Sequence, residues 1–144
     1  MSRITVPLYY CKSRVPLVMF KLQGDTKYIG IIDTGSEISM FDPTLTDDGL
    51  SGVSNSETSF IGVNGESGSS NVIQVKGDAY FKTKDKDICS VGISGVEYDF
   101  GGLTRVFQER FNKQISISAI FGSDFLKGYN AKIDFKNKTL TIDY

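Results

Sequence analysis

The chain has 144 residues, with 16 Lys plus Arg against 17 Asp plus Glu, which is one domain's worth of sequence close to electrical neutrality. That balance argues against a nucleic acid held mainly by charge, and no apolar run approaches the roughly 20 residues of a membrane span. There is no His, which removes Ser-His and Cys-His catalysis, His-bearing zinc sites and imidazole as a general base.

Residues 1–20 are broken by Pro, Lys and Arg and lack the uninterrupted apolar core of a signal peptide. An intracellular chain with Cys11 and Cys89 as free thiols is therefore expected. In chain order, residues 4–9 and 15–22 read as strands, the second ending at a Gly24-Asp25 turn. Residues 27–33 form a third, with Ile29, Ile31 and Ile32 supplying β-branched bulk, and 39–41 a brief fourth. Residues 42–57 are polar, with Asp42-Pro43 arranged as cap and first residue of a short helix.

Two strands, 58–63 and 72–83, then flank "NGESGSSN" at 64–71, the strongest hairpin signal in the chain. Residues 87–93 read as strand. Across 103–115 the period changes: Leu103, Val106, Phe107, Phe111 and Ile115 share one helical stripe, with Glu109 and Lys113 on the wet side. Residues 117–121 return to strand, and 123–128 suit a short helix ended by Gly128. The last 15 residues read as a hairpin turning at 136–138, with Ile133 and Phe135 facing Leu140 and Ile142. Neither Asp47-Asp48 nor Asp85-Lys86-Asp87 has calcium-loop spacing, so no metal and no cofactor is expected.

The chemistry-bearing stretch is "GIIDTGSEISMF" at residues 30–41. A buried Ile31-Ile32 strand would deliver Asp33 at its end. Gly35 would let the backbone turn tightly, and Thr34 and Ser36 would set hydroxyls beside the carboxylate. Such surroundings tune an acid–base group.

These residues resemble the catalytic segment of the retropepsin-like aspartic proteases: two apolar residues, Asp-Thr-Gly-Ser, then apolar residues again. Two further segments follow in the family's order. "FIGVNGESGSSNVIQVKG" at 60–77 is similar to the flap hairpin, and "AIFGSDFL" at 119–126 to the second signature. The resemblance implies a mainly β fold, a retropepsin-like closed β-barrel, with one additional helix at about 103–115 in a single domain over 1–144. It implies an endopeptidase in which two carboxylates share a proton and activate water. Only one Asp-Thr-Gly is present, so the resemblance implies a homodimer with Asp33 from each subunit about a two-fold axis. Thr34 would bond across that axis, and Gly35 would admit backbone and substrate. Ile61, Gly62, Val63, Asn64 and Gly65 would belong to the flap over a peptide or protein substrate, with Ile120 in the pocket wall.

Ser36 stands where retroviral enzymes mostly carry Ala, and its hydroxyl is expected to donate to Asp33. Ser123 and Glu37 replace the family's Arg-carboxylate pair, so a dimer would be held differently. Two other readings remain open: a dimeric peptide-binding module of the same fold without useful catalysis, and a carboxylate-pair glycoside hydrolase.

Overall fold

β-branched and aromatic residues crowd the short runs of this chain, and in the computed structural model those runs form a mainly β protein with few helices. The structure describes residues 2–10, 14–61, 67–111 and 115–144, of which 53–61 and 67–72 are described by backbone alone. The larger sheet contains β2 (Leu17–Phe20), β3 (Tyr28–Ile32), β4 (Met40–Phe41), β5 (Ser51–Ile61), β6 (Ser67–Lys82), β7 (Ile88–Glu97) and β8 (Ile117–Phe121). Its order is β2-β3-β8-β4-β7-β6-β5. The smaller contains β1 (Arg3–Pro7), β9 (Lys132–Asp134) and β10 (Thr139–Asp143), ordered β1-β10-β9. The helices are α1 (Gly101–Phe111) and α2 (Ser123–Gly128).

The expected closed barrel is not found. β2 and β5 end the larger sheet, and the link from β2 back across is one isolated bridge, where Lys21 and Tyr80 exchange N–H···O bonds of 3.0 and 2.8 Å. The pairing stops there because the chain is diverted. Gln23 N–H donates to the Asp48 carbonyl at 3.2 Å and Gly24 N–H to Asp48 Oδ1 at 2.7 Å. Asp48 Oδ2 also accepts from Tyr28 at 2.7 Å. Burial and that carboxylate together push the Tyr28 phenol up to about 12. Asp48 is thus a clamp on the turn rather than a merely solvated acid.

Asp42 behaves as its sequence context demands. Its Oδ1 accepts from Thr44 N–H at 3.1 Å and caps a 3-10 helix over Pro43–Asp48. Its Oδ2 reaches Phe100 N–H at 3.2 Å and so ties the start of α1 to this corner. The β5–β6 ribbon is longer than its apolar content suggests, because β5 begins at Ser51 within the polar stretch.

The core lies on two faces. The larger cluster gathers Val18, Phe20, Phe41, Phe81 and Phe121 with β1 and β10 residues. Phe121, fully buried, holds ring centroids of Phe20, Phe41, Phe81 and Phe125 at 5.4, 5.8, 6.0 and 4.9 Å. Gly30 makes this possible: a Cβ there would sit 2.6 Å from the Phe121 ring. The smaller cluster joins Leu17, Ile31, Phe100, Phe107 and Ile117, with Leu103, Phe111 and Ile115 packed against it. Thr104 Oγ1 accepts from Ile117 N–H at 2.9 Å and fixes α1 to β8. Of the expected stripe Val106 is misplaced, since it is 52% exposed. Lys113 lies outside the described residues.

The C-terminal hairpin also differs in part. Ile133 does face Leu140, but Phe135 falls beyond β9 and is exposed, while Ile142 pairs with Ile4 of β1. β9 pairs only as far as Thr141, whereas β1, whose Ile4 and Val6 belong to the same core, lines the other edge of β10 along its full length.

Arg3 Nε donates to Asp143 Oδ1 at 2.8 Å, and Asn130 donates to Oδ2 at 3.1 Å. Those bonds hold the Asp143 carboxyl below its usual range. Asn137, through backbone and side chain, does the same for Asp134. A depressed folded-state value gives stability that is present above the ordinary carboxylate range and is lost as pH falls through the folded value. The thermal midpoint is therefore expected to fall on acidification below about pH 4. In Asp143→Asn that slope becomes shallower; an unchanged slope would show that the Arg3–Asp143 contact does not persist in solution.

Candidate active site

Asp33 stands where β3 ends against β8. These strands run parallel, with Ile31 beside Ile120 and Ile32 beside Phe121, and Asp33 N–H donates to the Phe121 carbonyl at 3.0 Å. The backbone then turns: Ser36 N–H returns to the Asp33 carbonyl at 3.2 Å, and Gly35 N–H donates to Asp33 Oδ1 at 2.9 Å. Among the described residues no donor bonds Oδ2. Asp33 is half-buried, and Thr34 and Gly35 are exposed. Asp33, Thr34, Gly35 and Ser36 thus share one small turn at the protein surface.

One expectation changes here. The Ser36 hydroxyl does not reach Asp33; it donates to the Ile38 carbonyl at 2.7 Å. The turn closes through backbone N–H groups and leaves that hydroxyl beside the next carbonyl instead. Gly35 takes its place in the turn without a left-handed conformation, since among the described glycines only Gly49 has positive φ. Its constraint is proximity, because a Cβ would lie 3.2 Å from Asp33 Oδ1.

The turn is braced from β8 and α2. Ser123 N–H donates to the Ser36 carbonyl at 2.7 Å. A Cβ on Gly122 would meet the Ser36 and Ile38 carbonyls at 2.6 and 2.9 Å, so glycine alone lets the two segments cross. Ser39, fully buried, donates its hydroxyl to Asp124 Oδ1 at 2.6 Å and its N–H to Oδ2 at 3.0 Å. Ser39 Oγ in turn accepts from Gly122 N–H at 3.0 Å. Asp124 Oδ1 also takes Phe125 N–H at 2.7 Å, in the first turn of α2.

This Ser39–Asp124 brace escaped the sequence reading, which treated 119–126 as a signature and a short helix without giving Asp124 a task. The signal was present as an acid in the first turn of a helix, but nothing local indicates that Ser39, 85 positions away, is its partner. Removing the carboxylate in Asp124→Ala orphans the buried Ser39 groups, at roughly 1–3 kcal/mol each. Denaturant unfolding is expected to show that loss. A change below about 0.5 kcal/mol would mean the brace is not formed in solution.

Ile120 is half-buried and packs with the cluster under α1. Alternation along β3 carries Ile31 and Asp33 to one face, and Ile31 belongs to that same cluster. Ile61 ends β5, with its backbone opposite Ser67; Gly62, Val63, Asn64 and Gly65 lie outside the described residues, as does Cys11. Cys89 is half-buried in β7.

A cavity of about 760 Å³ lies among β6, β7 and α2 with Lys76, Asp78, Ser94, Asp124, Phe125 and Tyr129 on its walls, and Asp33 is not among them. Thr34 borders a separate cleft of about 330 Å³ with Ser123, Leu126, Lys127 and Asn130. Among the described residues no three His, Cys, Asp or Glu side chains are placed to hold a metal, and no helix is long and apolar enough to cross a membrane. No family model matches the sequence, and no curated protein matches it.

Proposed function

We propose that the protein is a retropepsin-like aspartic endopeptidase, active as a homodimer with Asp33 contributed by each subunit. The observation that carries this reading is the corner itself: an Asp-Thr-Gly-Ser turn whose carboxylate stands at the end of an interior strand, half-buried, with one oxygen held by Gly35 N–H. Both oxygens of Asp124, in the brace behind the turn, are taken up by Ser39 and Phe125. With only one Asp-Thr-Gly in the chain, the second reactive carboxylate would come from a second copy, and the surface position of Thr34 and Gly35 suits an axis passing beside them.

In the dimer one Asp33, as base, removes a proton from water as it attacks the peptide carbonyl. The other, as acid, protonates the carbonyl oxygen, and the pair then protonates the leaving amine. A shared proton keeps the two like charges from ionising together. Ile120, on the face that Ile31 and Asp33 share, and the 61–65 segment would line the groove for the peptide.

The test is concentration. Specific activity on a peptide library should rise with protein concentration in step with the dimer fraction seen by sedimentation. A stable monomer that cleaves peptides would overturn the two-chain site.

A further inference from the structure

A second concave site lies at the other end of β3. Tyr28 opens that strand opposite Phe20, whereas Asp33 follows its last residue. Five strand residues at ~3.3 Å each separate the two ends by roughly 17 Å. Here Met19 of β2 and Lys21, which follows it, meet the outward residues Tyr80 and Lys82 of β6 across the Lys21–Tyr80 bridge. With Tyr9, Lys27 and Ile88 they enclose a cavity of about 360 Å³. Part of its apolar wall is not spent on folding: beside the core residues Val6 and Phe20, Tyr9, Tyr80 and Ile88 are 46%, 37% and 64% exposed.

Among the described residues Lys21, Lys27 and Lys82 stand on its walls and no carboxylate does. Asp25 and Asp87 are in the flanking turns, yet among the described residues the one ion pair is Arg3–Asp143. Three ammonium groups on long apolar stems around an aromatic and aliphatic floor match a ligand with an apolar body and an anionic head. The volume is at the lower end of the range for small-molecule sites, and concavity suits a discrete molecule better than a flat lipid surface.

We propose that this cavity binds a small amphiphilic carboxylate of about eight to ten carbons in all. The site stands apart from Asp33 and does not depend on what Asp33 does.

The probe is octanoate, titrated calorimetrically into the whole protein and followed by NMR at the Met19 methyl. Saturable one-site binding with Kd below about 1 mM and a shifted Met19 signal are expected, with octanol binding at least about tenfold more weakly. The surface double variant Lys21→Gln/Lys82→Gln should weaken octanoate about tenfold at unchanged thermal midpoint. No saturable binding, equal affinity for octanol, or an unaffected double variant would each overturn the proposal. So would co-sedimentation with phosphatidylserine vesicles, or capture of a Glu-rich aromatic peptide, when octanoate fails to saturate.

Discussion

Asp33→Asn is expected to lower peptide cleavage by roughly 10²–10⁴-fold across about pH 4–7, the contribution typical of a positioned acid–base group. The substitution isolates chemistry from structure. An Asn carbonyl oxygen can still accept the Gly35 N–H now bonded at 2.9 Å, and the backbone bond from residue 33 to the Phe121 carbonyl is untouched. What disappears is the proton-accepting carboxylate. Initial rates on a cleaved library peptide, with the thermal midpoint as a control, make the measurement. Wild-type rates in the variant would remove Asp33 from the chemistry. No cleavage by either protein, with dimer and peptide binding intact, would establish the binding module instead.

Phe121→Ala is expected to cost about 3–5 kcal/mol of stability, the range for truncating a buried aromatic. Phe121 is fully buried and central to four other rings, two of them edge-on at 5.4 and 5.8 Å. Three of these rings are on strands of the sheet and the fourth, Phe125, is on α2, so the hole cannot readily collapse. Against a typical total of about 5–15 kcal/mol this is a large fraction. The damage would not be confined to the core, because the residue's own carbonyl holds Asp33 N–H. Denaturant unfolding at 25 °C reads the loss. A cost below about 1 kcal/mol would mean that the aromatic cluster is not packed as described.

The two halves of the candidate site were unequally legible. Asp33 with its turn could be read from residues 30–36 alone, because a β-branched run ending in Asp-Thr-Gly carries its geometry locally. The strands 117–121 and 28–32 were likewise visible as apolar runs, but their parallel pairing was not, since alternation says which face a residue takes and not which strand lies beside it. Asp124 and Ser39 were hidden for the same reason. Val106 was misassigned because helical periodicity marks a stripe wider than the surface that α1 buries. Phe135 followed strand alternation into a turn that had already begun. The Ser36 hydroxyl had two acceptors within reach by sequence, and the choice between Asp33 and Ile38 rests on the path of the turn.

The parallel pairing of β3 with β8 has a consequence for the time course of folding. The corner that carries Asp33 is held by Phe121, which lies 88 positions further along (33 to 121), and closing so long a loop is an entropic cost that the turn's own local structure does not offset. The β5–β6–β7 ribbon, joined by neighbouring segments, can zip beforehand. During synthesis the Asp-Thr-Gly-Ser segment emerges early yet stays without its brace until Gly122 and Asp124 have left the ribosome. A growing chain therefore carries the residues of the site long before it carries the site.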